Sequence, residues 1–236
     1  MTLEGKRVVV IGGASGIGFA VAELAREQGA NVVIASSSDS RVNAAVARLP
    51  GATGKTVDLR DEAGVSRFFD ALGPFDHLVL TAGDWSVPLF TSIHDLDLTR
   101  ARDSLAVRFW GALAAVKHAA RSIARDGSIT LTGGMLAHRP AKHAPLPTAI
   151  GAAIEYLARG LALDLAPVRV NAVSPGLVLT EHVLEMPEAV RQATVAALPL
   201  PRGATPAEAA HAYVYLMLNT YATGQVLPVD GGGLLV

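Results

Sequence analysis

Short runs rich in β-branched residues alternate with helix-length segments almost from end to end of the chain. Strands are expected at Arg7–Gly12, Asn31–Ser36, Gly54–Leu59, Phe75–Gly83, Ser128–Gly133, Val168–Ser174 and Gly224–Gly232. Between them fall helical segments at Gly16–Gly29, Arg41–Leu49, Glu62–Leu72, Asp95–Arg125, His143–Ala166 and Pro206–Leu218, with an irregular arm before the last. Strands joined by helical crossovers must lie parallel, and a parallel sheet needs helices on both faces. The expectation is an α/β fold: one doubly wound parallel sheet of about seven strands, a single domain over residues 1–236. Half of the 236 residues are hydrophobic and 17% are charged, enough to build such a core.

The first crossover carries a glycine loop. In "VVVIGGASGIGFA" Gly12, Gly16 and Gly18 form G-x3-G-x-G between a strand and a helix. One glycine serves a tight turn, one a close approach of backbone to a pyrophosphate, one the packing of helix on strand. The helix N-terminus, with Ser15 and Ile17, offers free N–H groups to phosphate oxygens. A tight strand-to-helix turn alone is the plainer use of such glycines.

This spacing resembles the short-chain dehydrogenase/reductase family, and the likeness runs over nearly the whole chain. "VDL" (Asp58, Leu59) is similar to the family's adenine-side aspartate motif. "TAG" (Thr81, Ala82, Gly83) is similar to the end of its Asn-Asn-Ala-Gly motif. "RVNAVSPGLVLT" is similar to the Pro-Gly loop over the nicotinamide, with Pro175, Gly176, Val178 and Thr180 as contacts. "TGQVLPVDGG" matches the C-terminal signature. The resemblance implies a single-domain Rossmann-like fold and a nicotinamide dinucleotide as partner.

NAD selectivity usually rests on a carboxylate at the end of the second strand. Ser36 stands there, followed by Ser37, Ser38, Asp39 and, within a turn, Arg41. Ser36, Ser37, Ser38 and Arg41 suit a 2'-phosphate, so NADP(H) is favoured over NAD(H). Asp39 is either a displaced ribose acceptor or a helix N-cap, the second being expected.

The family's proton-handling set is Ser, Tyr, Lys and an Asn on the preceding long helix. Carried over residue by residue, these positions hold Gly134, Pro147, Gly151 and Arg108; no Tyr-x-x-x-Lys occurs anywhere in the chain. The helix keeps a packing role, with an apolar face of Ala152, Ala153, Leu157, Leu161 and Leu165 and with Pro147 at its first position. Substitutes are sought in the loop Met135–Pro147, which carries His138, Arg139, Lys142 and His143. Lys142 or His143 is the candidate proton donor, against a plain solvated loop. Arg108 is a candidate for a substrate carboxylate or cofactor phosphate, against a helix-face charge filling the place of Asn. Trp85 and Trp110 are candidate pocket residues, Trp110 being more readily a core residue.

Three activities are open: an oxidoreductase with an altered proton relay and unidentified small-molecule substrate, a nucleotide-binding sensor, or a non-redox lyase or cyclase. The pocket is expected from loops 84–95, 134–147 and 175–205. No metal site is expected: the chain has no cysteine, and His77, His94, His118, His182 and His211 lack ligand spacing. A net charge of −1 without a basic block speaks against nucleic acid. Without a signal-peptide layout or a membrane span, a cytoplasmic protein is expected. Alanine- and glycine-rich faces on the helices Arg102–Arg125 and Thr148–Ala166, where the resemblance implies subunit pairing, lead to an expected homodimer or homotetramer.

Overall fold

The computed structural model describes residues 2–83 and 90–236. Seven strands form one parallel sheet in the order β3-β2-β1-β4-β5-β6-β7. They are β1 (Arg7–Ile11), β2 (Asn31–Ser36), β3 (Thr53–Thr56), β4 (Phe75–Leu80), β5 (Ile123–Thr132), β6 (Arg169–Pro175) and β7 (Val226–Val229). The order reverses between β1 and β4, where ligand crevices form outside the carboxyl ends of the strands. The helices are α1 (Gly16–Glu27), α2 (Asp39–Arg48), α3 (Glu62–Leu72), α4 (Leu98–Leu105), α5 (Ala112–Ala119), α6 (Pro145–Asp164), α7 (Glu181–Leu184), α8 (Glu188–Val195) and α9 (Pro206–Leu218).

Strand alternation explains why β1 is apolar on both sides. Val8 and Val10 join Phe19 and Val21 of α1 and Tyr213 and Leu216 of α9. Val9 and Ile11 join Phe69 of α3, Val116 of α5 and Ile154 of α6 on the other face. Each large side chain so buried contributes roughly 1.5–3 kcal/mol. Arg169, at the start of β6, ties down the end of α9: its Nη1 donates to Leu216 O at 2.6 Å and its Nη2 to Met217 O at 2.8 Å. A buried cation on the last carbonyls of a helix satisfies both partners.

Several expected boundaries move. The segment expected as one helix from Asp95 to Arg125 is three pieces. After α4 comes a single π turn, Ala106–Gly111, then α5, which stops at Ala119 because Ile123–Asp126 already belong to β5. The arm expected to be irregular carries α7 and α8, the first capped by the Thr180 hydroxyl. Helix α2 starts two residues early because its N-cap is Ser38, whose hydroxyl accepts from Arg41 N. Asp39 is therefore not the cap; its carboxylate accepts from the Thr56 hydroxyl instead. Helix α6 begins at Pro145, so Pro147 is its third residue and not its first. Its buried stripe is Ile150, Gly151, Ile154, Glu155, Ala158 and Ala162, and the expected face, Ala152, Ala153, Leu157, Leu161 and Leu165, is only half-buried.

Among the described residues, no helix is long and apolar enough to cross a membrane. Among them too, no three His, Asp or Glu side chains gather as a metal site would need.

Candidate cofactor and catalytic site

The chain leaves β1 in a turn held by two amides, Gly12 N and Gly13 N, both donating to Ala35 O at 2.8 and 3.2 Å. Gly12 has φ of 93°, and a Cβ there would lie 2.5 Å from Ala82 N. A Cβ on Gly18 would collide with Gly12 O. These two glycines let the loop, the start of α1 and the Thr81–Gly83 segment close on one another. Thr81 N donates to Ile11 O at 2.9 Å, which completes the join between β1 and β4.

Gly16 sits differently. Its φ is 53°, and its amide donates to Glu181 Oε2 at 3.0 Å. Ser15, the N-cap of α1, is extended and its side chain caps nothing. The first amides of α1 thus point out of the fold with the positive end of the helix dipole behind them. A carboxylate from the α7 arm has found that spot, as a diphosphate would. Ile17 behind it is half-buried against the core.

At the end of β2, Ser37, Ser38 and Arg41 converge. Arg41 Nη2 reaches Ser37 Oγ at 3.5 Å, and Ser38 Oγ lies 2.9 Å from Ser40 Oγ. Ser36 ends β2, with its carbonyl accepting from Val57 N at 3.0 Å. That bond aligns Asp58 and Leu59 beside it. Asp58 is exposed and accepts from Arg60 N at 3.0 Å, while Leu59 is buried.

The strand β6 ends at Pro175. Gly176 N donates to Val229 O at 2.9 Å, and a Cβ on Gly176 would lie 2.9 Å from Asp230 Cα. Buried Val178 bridges to Ala204, and Thr180 turns the chain into α7. Glycine loop, serine corner, Asp58, Thr81–Gly83 and Pro175–Thr180 all stand at the carboxyl ends of the strands. Their donors and glycine-lined approaches fit a dinucleotide laid across the switch point.

A family profile described as enoyl-(acyl carrier protein) reductase matches residues 12–233. The chain belongs to the short-chain dehydrogenase/reductase family. It is 38% identical to the short-chain dehydrogenase/reductase ucsE of an Acremonium species, over 99% of this chain and 97% of that one. A small-chain dehydrogenase crystallised in complex with NADPH superposes with a TM-score of 0.86 at 38% identity, covering 99% of this chain and 100% of the other. The MalC reductase/Diels–Alderase of Malbranchea aurantiaca superposes at 0.90, with 32% identity over 99% and 98% of the two chains.

The strand end of β5 carries no side chain at Gly133 and Gly134. Gly134 is extended, and a Cβ there would meet nothing within 4 Å. Gly151 lies against Gly134 O and Ala137, at 3.3 and 3.4 Å from where its Cβ would be. The single helical turn Met135–Ala137 therefore packs straight onto α6. The chain has four tyrosines. Tyr156, Tyr215 and Tyr221 are exposed. Tyr213 is wholly buried; since the Thr132 hydroxyl donates to Leu80 O at 2.8 Å, Tyr213 donates its own proton to Thr132 Oγ1, also at 2.8 Å. Burial pushes this phenol far above the ordinary tyrosine range.

Arg108 leaves the π turn inward. Its Nε is buried, and its guanidinium lies against Gly83, in a small cavity lined by Leu59, Leu80, Ala82, Leu131 and Thr132. Burial lowers its pKa, and Tyr213 opposes that shift. It is not an outward helix-face charge; the extra residue of a π turn re-aims side chains in this way. Trp110, expected to be core, is 61% exposed, and its ring lies edge-to-face with Phe109 on the same turn. Trp85 and residues 84–89 of the first pocket loop lie outside the described residues.

Lys142 and His143 are exposed, His143 in the left-handed region at φ of 62°. The ordered histidine of this loop is His138. Its Nε2 stands 2.6 Å from Glu155 Oε2, and the Glu155 side chain is 3% exposed. Sequence reading missed this pair. The readable signal was a glutamate at i+4 from Gly151, hidden by placing the buried face of α6 one residue out of phase.

Proposed function

We propose that this chain is an NADP(H)-dependent oxidoreductase of the short-chain dehydrogenase/reductase type with an altered proton relay. The observation that carries the reading is the serine–arginine corner at the end of β2. No carboxylate ends that strand, Asp39 is taken up by Thr56, and Arg41 with Ser37 and Ser38 presents a cation and hydroxyls. That donor set suits the 2'-phosphate of NADP(H). The amides of Gly16 and Ile17 would hold the pyrophosphate, with Gly12, Ser15 and Gly18 shaping the loop. Asp58 and Leu59 would face the adenine; Thr81, Ala82 and Gly83 would back the ribose; Pro175, Gly176, Val178 and Thr180 would cover the nicotinamide. The similarity to a dehydrogenase crystallised with NADPH supports the same assignment.

The dinucleotide, once bound, supplies a hydride. This chain's residues orient it and exclude water. With Gly134, Pro147 and Gly151 in three of the proton-handling positions, plain ketones meet no tyrosine at the hydride-accepting carbon. Substrates that need no strong acid, such as an iminium or an activated alkene, suit the site better. Arg108 behind Gly83 supplies the positive charge on that side. Similarity to a protein named both reductase and Diels–Alderase supports a second reading, a ring-forming activity in the same pocket.

Calorimetry with NADPH and NADH tests the proposal. Tighter binding of NADPH is expected, and equal affinity would contradict it.

A further inference from the structure

The loop after β5 holds one histidine firmly. His138 N and Arg139 N both donate to Met135 O at 3.0 Å, and Ala137 N donates to Gly134 O at 2.9 Å. Arg139 Nη1 donates to Gly233 O at 2.7 Å, pinning the loop to the C-terminal segment. The imidazole then turns one nitrogen, Nε2, onto Glu155.

Glu155 is an unusual tenant of its position. It lies on the buried stripe of α6, one turn beyond Gly151. Its side chain packs on the end of β5: a Cβ on Gly133 would lie 2.8 Å from both Cγ and Oε1. Oε1 is buried without a hydrogen bond from any described residue, and the other oxygen stands 2.6 Å from His138 Nε2. A buried carboxylate is costly unless it is paired. Nε2 stands at ion-pair distance from the carboxylate, on a side chain 35% exposed, which leaves Nδ1 as the nitrogen for a substrate. A carboxylate that fixes the tautomer of a histidine leaves the other nitrogen free to give and take a proton.

We propose that His138, held by Glu155, is the proton donor of this site in place of the missing tyrosine. The inference rests on the oxidoreductase reading above. Glu155 adjoins Gly133, the residue before the Gly134 position where that tyrosine's partner serine would stand. In reduction of a carbonyl, the carbon receives the hydride that NADPH supplies and the C=O π pair moves to oxygen. The oxygen takes the Nδ1 proton of the His138 imidazolium. The products are alcohol, NADP⁺ and neutral imidazole, which regains its proton from solvent. His138 is the catalytic residue and Glu155 its positioning residue.

Two measurements test this. Long-range proton–nitrogen spectra of the cofactor-free chain should show the Nε2–H tautomer for neutral His138, lost in Glu155→Gln. An Nδ1–H tautomer overturns the inference whatever the kinetics. The second uses two probes with NADPH: isatin, whose reduced oxygen needs a proton, and N-methyl dihydroisoquinolinium, whose reduction needs none. His138→Ala should slow isatin reduction by at least ~10²-fold, the usual worth of general acid catalysis, and leave iminium reduction within about twofold. Free imidazole should restore the isatin rate. Glu155→Gln should lower kcat for isatin with KM unchanged. Equal losses on both probes, or none on isatin, overturn the inference. Wild-type reduction of the iminium alone overturns it while the oxidoreductase reading stands. A wild-type chain that binds NADPH and reduces neither probe removes both.

Discussion

The carboxylate of Glu181 accepts a hydrogen bond from Gly16 N at 3.0 Å, across 165 residues of sequence. An acidic side chain from the α7 arm thus rests on the glycine loop, on the amide best placed for a pyrophosphate oxygen. With the dinucleotide bound as proposed, its phosphate must displace this carboxylate, whose charge opposes the incoming anion. A charge at a helix N-terminus is worth about 0.3–1 kcal/mol. Glu181→Gln should therefore tighten NADPH binding by about 2- to 5-fold, and the gain should shrink as salt screens the charge. Calorimetry at two ionic strengths measures both effects. Weaker binding in the variant would mean that Glu181 assists the cofactor.

The same loop gives a sharper loss. Gly16 has φ of 53°, and a Cβ there would sit 3.0 Å from Thr180 Cγ2. A β-branched residue is strained in that conformation and crowds the arm as well. Gly16→Val should abolish measurable NADPH binding with the fold retained, as judged by circular dichroism. Unchanged affinity would move the dinucleotide off this loop.

Arg41 should decide between the two cofactors. A charge-assisted bond from arginine to phosphate is worth about 1.5–3 kcal/mol, or roughly 10- to 150-fold. Arg41→Ala should lose that much affinity for NADPH and leave NADH nearly unchanged. If instead Asp39→Ala weakens NADH binding and Arg41→Ala does nothing, the ribose end is read by the carboxylate.

The fold was legible because strand and helix periodicities are long and repeated; every expected strand is present, and α3 and α9 fall on their expected bounds. What failed was phase and local detail. On α6 the alanine-rich pattern fits two adjacent faces equally well, so the true stripe through Ile154 and Ala158 was missed and Glu155 with it. The π turn has no sequence mark, since one extra residue in a turn leaves composition untouched. The inward aim of Arg108 therefore could not be told in sequence from a helix-face charge. Ser38 and Asp39 are both good N-caps, and only the pull of Thr56 on Asp39 separates them. The candidate cofactor residues were read from glycines, whose backbone demands are visible in sequence, and from the family resemblance; the His138–Glu155 pair is a tertiary contact and was visible in neither.

His77 makes stability depend on pH. It is 4% exposed, with Nδ1 at 2.8 Å from Ser128 Oγ. Burial pushes its pKa down to about 4; Asp76 and Asp126 oppose the shift, and Arg169 and Lys6 add to it. The unfolded chain, with an ordinary histidine near 6.5, then binds more protons than the native one between the two values. The contribution is full above 6.5 and is lost as pH falls toward about 4, about 3 kcal/mol in all. Urea midpoints of wild type and His77→Gln should diverge at neutral pH and converge on acidification. A gap constant with pH would show that His77 does not titrate in this way.

The outer face of α6 is unusually apolar for a surface. Tyr156 is 69% and Leu163 85% exposed, Arg159 lies over the Tyr156 ring at 4.6 Å, and Gly160 leaves space between them. The π turn packs on α6 and adds Trp110, 61% exposed. Exposed apolar residues gathered on one face mark an association surface. A single helix face meeting itself across a two-fold axis covers it twice with one set of residues. The chain should therefore form a homodimer, or a tetramer built from it, through α6. Leu163→Glu would place two carboxylates near that axis, and Trp110→Ala would remove an aromatic anchor worth at least about 2 kcal/mol, or roughly 30-fold in Kd. Light scattering at micromolar concentration should show an oligomer for wild type and a monomer for Leu163→Glu, with the circular dichroism spectrum unchanged. A wild-type monomer would leave this face without a partner of its own kind. An oligomer untouched by both substitutions would put the contact on another surface.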